Sequence, residues 1–399
     1  MSVVLLGSTS GSVTLQEPAV AGSTTINLPA TSGTMAVLPT ATSVLPEASG
    51  GTGTTTGYYG FKNRLINGGM VIDQRNAGAS STPSAYTYTV DRWALAMSQA
   101  SKFTVGQNLS SATPPVGFPN YLGVSTASAV TVGSGDYFFL RQYIEGFNFA
   151  DMAWGTANAK TVTLSFQVYS SLTGTFGGAL TNGAATRSYP FTYTVAAANT
   201  WTSVSVTIAG DTSGTWIGAT NGIGCAVIFG LGAGSTYSGT ANTWASAGYF
   251  SATGATSVVG TSGATFYITG VQLEKGSTAT SFDYRPYGTE LQLCQRYFEK
   301  SYPISTAIGT GGSGVFAIAW NSYSFMRGTF EFKVNKRTTP TLTFYNGTTG
   351  ATGTVQFSGS GAKAVTTVTL TEVFFDPTGS GLWTTDDYCF FHWSASSEL

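Results

Sequence analysis

"KTVTLSFQV", residues 160–168, alternates without a break: Val162, Leu164, Phe166 and Val168 fall on one side, Thr161, Thr163, Ser165 and Gln167 on the other. Neighbouring side chains of a β-strand point to opposite faces, whereas a helix repeats about every 3.6 residues, so this stretch can bury one face only as a strand. "WTSVSVTI" (201–208) repeats the pattern with Val204, Val206 and Ile208. "FYITGVQL" (266–273) starts it with Phe266 and Ile268, then changes phase at Gly270 to Val271 and Leu273. A glycine at such a phase change predicts a β-bulge.

Strands need turns and a core, and the composition supplies both. The 399 residues include 51 Gly, 25 Phe and 20 Tyr, and 42% are hydrophobic. Aromatic and β-branched residues suit pleated surfaces, and glycine suits the turns between them. The reading is all-β: an extended N-terminal β segment, a central jelly-roll sandwich, one short connecting helix and a smaller C-terminal β-sandwich. Many short strands separated by Gly- and Ser-rich insertions fit a sandwich better than a barrel enzyme.

Charge narrows the function. Only 9% of residues are charged, with 17 basic against 18 acidic and a net charge of −1. No basic stripe exists to meet nucleic-acid phosphate, no apolar run reaches membrane-spanning length, and "VVLL" near the N-terminus has no preceding Lys or Arg. Neither nucleic-acid binding, membrane insertion nor conventional secretion is expected. Cys225, Cys294 and Cys389 are odd in number and far apart, unlike a disulfide framework. Lys and Arg are absent from Met1 to Phe61, and Asp211 is the one charged residue between Arg187 and Glu274. A surface this neutral protects poorly against self-association, so copies of the chain or other partners are expected to cover much of it.

Composition also divides the chain. Residues 1–57 carry short β-like pieces (Val13 and Leu15, Ile26 and Leu28, Met35 and Val37) with too few apolar side chains for a private core, and end in the Gly-rich connector "LPEASGGTGTTTG". Residues 58–287 hold the sandwich strands. Residues 288–302 hold the helix "TELQLCQRYFEKS", in which Thr289 and Gln292 have capping-box spacing and Leu291, Cys294 and Phe298 share a face. Residues 303–399 form the second β domain.

Candidate chemistry is thin. Asp386 and Asp387 are adjacent, which on a strand sends them to opposite faces; they read as solvated turn residues instead of a glycosidase pair. His392 is the single histidine, which restricts triads and metal sites, and with Cys389 it does not make a zinc site. "GTGGSG" (309–314) matches a dinucleotide fingerprint but runs into the alternating "VFAIAW" instead of a helix, so it reads as a turn. No catalytic residue, metal ligand or cofactor is assigned. Sugars stack on exposed aromatic faces. Most aromatic residues in strands are packing residues, but Tyr323, Tyr345, Trp383 and Tyr388 are candidate ligand contacts because they lie in the distal domain.

One run is polar against this background: "NRLINGGMVIDQRN", residues 63–76, with Arg64, Asp73, Arg75 and three Asn. It belongs to a longer series. "SGSVTLQEPAVAGSTTINLPATSGTMA" resembles the N-terminal segment of many tailed-phage structural proteins, and "LPEASGGTGTTT" is similar to the connector of phage tail fibres. The polar run, then "DRW" (91–93), "RQYIEG" (141–146), "VTLSFQV", "AANTWTSVSVTIAGDTSGTW" and "VQLEKGSTATSFDYRPYGTELQLCQRYFEKS" resemble, in order, a phage tail-fibre module with a carbohydrate-binding-module-like jelly roll. "FFHWSASSEL" resembles the ending of such proteins, and residues 303–387 match least.

The resemblance implies a non-enzymatic, homotrimeric virion protein, assembled in the host cytoplasm. It would dock on a phage tail or baseplate protein through residues 1–57 and recognise host polysaccharide or lipopolysaccharide with its distal β domains. A tailspike depolymerase and a structural baseplate or adaptor protein are the alternatives. In this setting Arg64, Asp73, Arg75, Asp91 and Arg92 are expected to form a structural network where the chain enters its sandwich, with a cation-lined sugar or phosphate site as the rival reading.

Overall fold

The computed structural model describes residues 3–6, 12–15, 61–312, 316–319, 329–358, 361–379 and 388–399. The chain divides into two compact units, Met1–Tyr58 and Tyr59–Leu399. In the first, β1 (Val3–Leu6) pairs antiparallel with β2 (Ser12–Leu15).

The second unit opens with a sandwich built from β3 (Thr87–Tyr88), β4 (Ala94–Met97), β5 (Phe103–Gln107), β6 (Leu122–Thr126), β7 (Tyr137–Glu145), β8 (Val162–Ser170) and β9 (Gly174–Thr181). It continues through β10 (Ser188–Val195), β11 (Thr202–Ile208), β12 (Ile223–Ala233) and the short β13 (Ser238–Gly239) and β14 (Ser251–Ala252) to β15 (Thr265–Lys275). One sheet has six strands in the order β10-β9-β12-β7-β4-β3; the facing sheet has five, in the order β11-β8-β15-β6-β5. Sequential strands lie in different sheets again and again, so the core forms only when both sheets close.

Alternation decides what fills that core. Val162, Leu164, Phe166 and Val168 all enter it, together with Trp93, Phe138, Phe176, Phe191 and Phe229. Each fully buried side chain of this size contributes about 1.5–3 kcal/mol. Val204 and Val206 are only half-buried, because β11 is an edge strand. The bulge stands where the sequence changes phase: the β15–β8 register slips between Thr269 and Gln272, and Gly270 takes φ +61°. The slip keeps Phe266, Ile268, Val271 and Leu273 all in the core.

A single α-helix among the described residues, α1 (Tyr287–Gln295), follows. It starts two residues before Thr289. Pro286 stands at the N-cap and no side chain caps the helix, so the expected capping box does not form. Proline's fixed φ and missing N–H set this start in place of the Thr289 hydroxyl. Phe298 also leaves the expected helical face. It begins β16 (Phe298–Lys300), which pairs with the last strand, while Tyr297 packs beside Cys294 instead.

The remaining strands are β17 (Phe316–Ala319), β18 (Phe330–Glu331), β19 (Thr341–Asn346), β20 (Thr354–Phe357), β21 (Gly361–Leu370), β22 (Phe374–Gly379) and β23 (Tyr388–Ser396). β23 is their axis, pairing with β16, β17, β19 and β20, and β21 carries the sheet on to β22 and β18. Phe332, Phe344, Phe357, Phe375, Phe391 and Trp393 form the second core beneath it.

Candidate functional site

The polar run 63–76 is wound against the sandwich with its side chains serving the backbone. Asn63 Nδ2 donates to the Val271 carbonyl, and its Oδ1 accepts from the Leu65 and Leu273 N–H groups. Asn67 Nδ2 donates to the Ile72 and Asp91 carbonyls, and its Oδ1 accepts from Ile72 N–H. Trp93 Nε1 donates to the Asn67 carbonyl at 3.1 Å. The segment has no strand ladder, so these amides replace one. Gly68 permits the closest approach: a Cβ there would lie 2.1 Å from the Val271 oxygen, at the bulge.

The expected network separates into parts. Asp91, fully buried, accepts from Gln74 N–H and Gln74 Nε2 and lies 3.5 Å from Arg75 Nη1. Arg75 Nη2 pairs with Glu398 at 2.9 Å, and Arg92 Nη1 meets the other oxygen of the same carboxylate. The Arg92 guanidinium also lies 3.5 Å from the Tyr297 ring centre and donates to the Tyr143 carbonyl. Burial pushes the Asp91 carboxyl up to about 6, although Arg75 and the Gln74 hydrogen bonds pull the other way. Asp73 sits apart, accepting from the N–H groups of Asn76 and Gly78. Arg64 is also separate, paired with Asp151 at 2.8 Å. Glu398, which joins Arg75 to Arg92, carries no signal in the sequence because it is over 300 residues away.

This cluster fixes the turn between β3 and β4, since Thr89 N–H and the Trp93 carbonyl close it at 2.8 Å and Arg92 holds φ +72° within it. The turn in turn sets Tyr86 and Tyr88 on the outer face of the six-stranded sheet. Tyr88 is opposite Ala94, and Ala94 is opposite Arg141 on β7. The Arg141 guanidinium lies 4.1 Å from the ring centre of Tyr143, 4.9 Å from that of Tyr86 and 5.6 Å from that of Phe139. Tyr86 is exposed and Tyr143 half-buried, while Phe139, Ala96, Ala226 and Ile228 form an apolar floor. Burial raises the Tyr143 hydroxyl pKa, against the pull of Arg141.

Arg141 is unusual in one respect. Among the described residues it is the arginine with no hydrogen bond and no ion pair, and its Nε is buried without a partner. Part of this face is closed, because Tyr237 and Phe250 pack on Tyr137 and Phe139 and leave the floor residues at most 4% exposed. The outer face of the opposite sheet is also covered. Tyr121, Tyr169, Tyr267 and Trp201 stack there too, but residues 109–113 cover them through Tyr121 Oη to the Leu109 carbonyl and Trp201 Nε1 to the Thr113 carbonyl.

Among the distal-domain candidates, Tyr345 is buried, its hydroxyl 3.1 Å from Ser394 Oγ, so its ring is packing material rather than an open platform. Tyr388 begins β23. Tyr323, Trp383 and the Asp386–Asp387 pair lie outside the described residues. His392 is buried, with Nδ1 3.0 Å from Ser301 Oγ and its ring stacked on Tyr302. The three cysteines are free and buried, and no group of three His, Cys, Asp or Glu among the described residues is placed to hold a metal. The indoles of Trp93, Trp154, Trp201, Trp216 and Trp244 all donate within the chain. "RQYIEG" supplies Arg141 and Tyr143, and strand alternation places them on one face. Their solvent-facing side could not be read without knowing which sheet face is core.

No family model matches the sequence, and no curated protein matches it. Solved structures similar over about half the chain include the enzymatically active domain of tailspike protein 4 of bacteriophage CBA120, at 12% identity and TM-score 0.30 over 54% of this chain and 22% of that one. The family 11 carbohydrate-binding module of the Clostridium thermocellum cellulase Lic26A-Cel5E is similar at 10% identity and TM-score 0.24, covering 51% of this chain and 98% of that one. The CBM22-1–GH10 modules of xylanase 10B of Clostridium thermocellum give 13%, 0.24, 50% and 30%. Likeness at this level assigns no ligand to this chain.

Proposed function

We propose that the chain is a phage tail-fibre adhesin that binds host surface glycan on the outer face of its six-stranded sheet, without cleaving it. The observation that carries the reading is the Tyr86–Arg141–Tyr143 group: the exposed ring of Tyr86 and the half-buried ring of Tyr143 for sugar C–H faces, beside a donor with no hydrogen-bond or ion-pair partner among the described residues. An exposed ring is what glycan stacking uses, and a guanidinium directs hydroxyl or anionic oxygens. The N-terminal segment, by its resemblance, docks on the tail or baseplate, and the working form is a homotrimer in the virion tail. Three faces per fibre convert individually weak contacts into avid attachment.

Binding without hydrolysis is supported by the carboxylate nearest along the strand. Glycosidic cleavage needs a carboxyl whose pKa is raised so that it can donate a proton. Glu145 is held instead at 2.6 and 2.9 Å by Arg296 and at 2.5 Å by Tyr297; burial raises its pKa, but these partners bring it below the usual range. The test is binding of the full chain to glycan arrays and to candidate host cells, with sedimentation mass and with polysaccharide length followed over hours. Retained length, trimer mass and loss of binding in Tyr143→Ala are expected. Shortened polysaccharide would favour the depolymerase, and absence of any glycan or cell binding would favour the baseplate or adaptor role.

A further inference from the structure

We infer that the sheet-face site selects acidic glycans, with Arg141 receiving a sugar carboxylate; this rests on the glycan-binding reading above. Every other described arginine already has an acceptor. Arg75 and Arg92 share Glu398, Arg187 holds Asp211 through two bonds of 2.7 Å, Arg296 holds Glu145, and Arg337 donates to the Ser397 and Glu398 carbonyls. In a chain this poor in charge, each of the other described arginines meets a carboxylate or a backbone carbonyl. Arg141 breaks that rule at the centre of the face, with Ala94 and Ile228 as its cross-strand neighbours.

Its setting also defines the shape of the acceptor. The guanidinium lies against the rings of Tyr143 and Tyr86, so aromatic surface occupies its faces and its N–H edge is what remains to donate. A guanidinium edge matches a planar, two-oxygen acceptor, and a carboxylate satisfies two of its N–H groups at once. A phosphate monoester would bring close to two negative charges. Arg75, 5.1 Å from the ring centre of the neighbouring Tyr88, is already engaged by Glu398 and Asp91, so among the described residues Arg141 is the one unpaired guanidinium at the site. The class is therefore a uronic acid, a sialic acid or a pyruvate-substituted sugar within a surface polysaccharide, its ring lying on Tyr86 or Tyr143.

The experiment uses the full chain on matched oligosaccharide sets: uronate-, sialate- and pyruvate-bearing sugars, the same sugars with their carboxyls reduced to alcohols, and phosphorylated mannose oligosaccharides. Binding to a carboxylated member about 10- to 100-fold tighter than to its reduced partner is expected, the range of a charge-assisted hydrogen-bonded pair. Added salt should narrow that ratio. Arg141→Gln should bind acid and reduced forms alike, at the level of the reduced form. Equal binding of both forms by the native chain overturns the acidic preference while leaving the glycan reading intact. Preference for the phosphorylated set overturns it in favour of phosphate, and no binding to any set overturns both readings. The comparison of acid with reduced ligand needs no variant, so it decides the matter even if Arg141→Gln folds poorly.

Discussion

Glu398 is the residue whose loss should tell most about how this molecule is held together. Its carboxylate is 6% exposed and joins two guanidinium groups from the start of the sandwich, Arg75 at 10% and Arg92 at 1% exposure. Burial works against the charge of Arg92, yet Glu398, foremost among several neighbours with Tyr297 and Tyr88, outweighs this and holds its pKa above the ordinary value. In Glu398→Ala, Arg92 keeps the Tyr143 carbonyl and the Tyr297 ring but has no counter-charge, while Arg75 falls back on Asp91. Removing one partner of a buried pair costs about 3–5 kcal/mol, because the other charge remains desolvated. For the roughly 340-residue second unit, an unfolding entropy of about 2.1 cal/mol/K per residue gives about 0.7 kcal/mol/K, and hence a fall in Tm of about 4–7 °C. Differential scanning calorimetry measures it, and hydrogen exchange should show the β3–β4 turn opening first, since that turn carries Arg92. Glu398→Gln, which keeps the shape and loses the charge, should fall between. A Tm change under about 1 °C in Glu398→Ala, with exchange in the turn unaltered, would refute the argument that this carboxylate neutralises both arginines.

Three further outcomes can be measured. Asp91, with its carboxyl pushed up to about 6 from 3.8, holds a proton in the folded state where the unfolded chain has lost it, so stability falls as pH rises through 6; two units correspond to up to about 3 kcal/mol, and Asp73 shifts the same way. Urea unfolding should therefore give a higher free energy at pH 5 than at pH 7, and an equal or lower value at pH 5 would contradict the buried carboxyl. Lys336, with its ammonium buried at 2.5 Å from Glu299, should cost about 3–5 kcal/mol as Lys336→Met, with most of it recovered in Lys336→Met/Glu299→Leu; additive losses would exclude the pair as the cause. Gly68→Ala should lose about 1–3 kcal/mol, because its Cβ would meet the Val271 carbonyl; near-native stability would mean that the polar run does not press on the bulge.

Alternation made the sandwich strands legible in the sequence. Val162 to Val168, and Phe266 to Leu273 with the slip at Gly270, announced both their buried side and their bulge, because a period of two is imposed locally by the chain. The polarity of residues 63–76 likewise marked a segment without a ladder. What the sequence could not determine depends on contacts between distant residues. Glu398 meets Arg75 and Arg92, Asn63 meets Val271, and Pro286 displaces Thr289 as the start of α1 because the chain enters that helix in an extended conformation. Arg141 looks like any strand arginine until the sheets close. Tertiary structure alone decides that its neighbours are aromatic rings and that no carboxylate among the described residues reaches it, since a charge finds its partner through space and not along the chain.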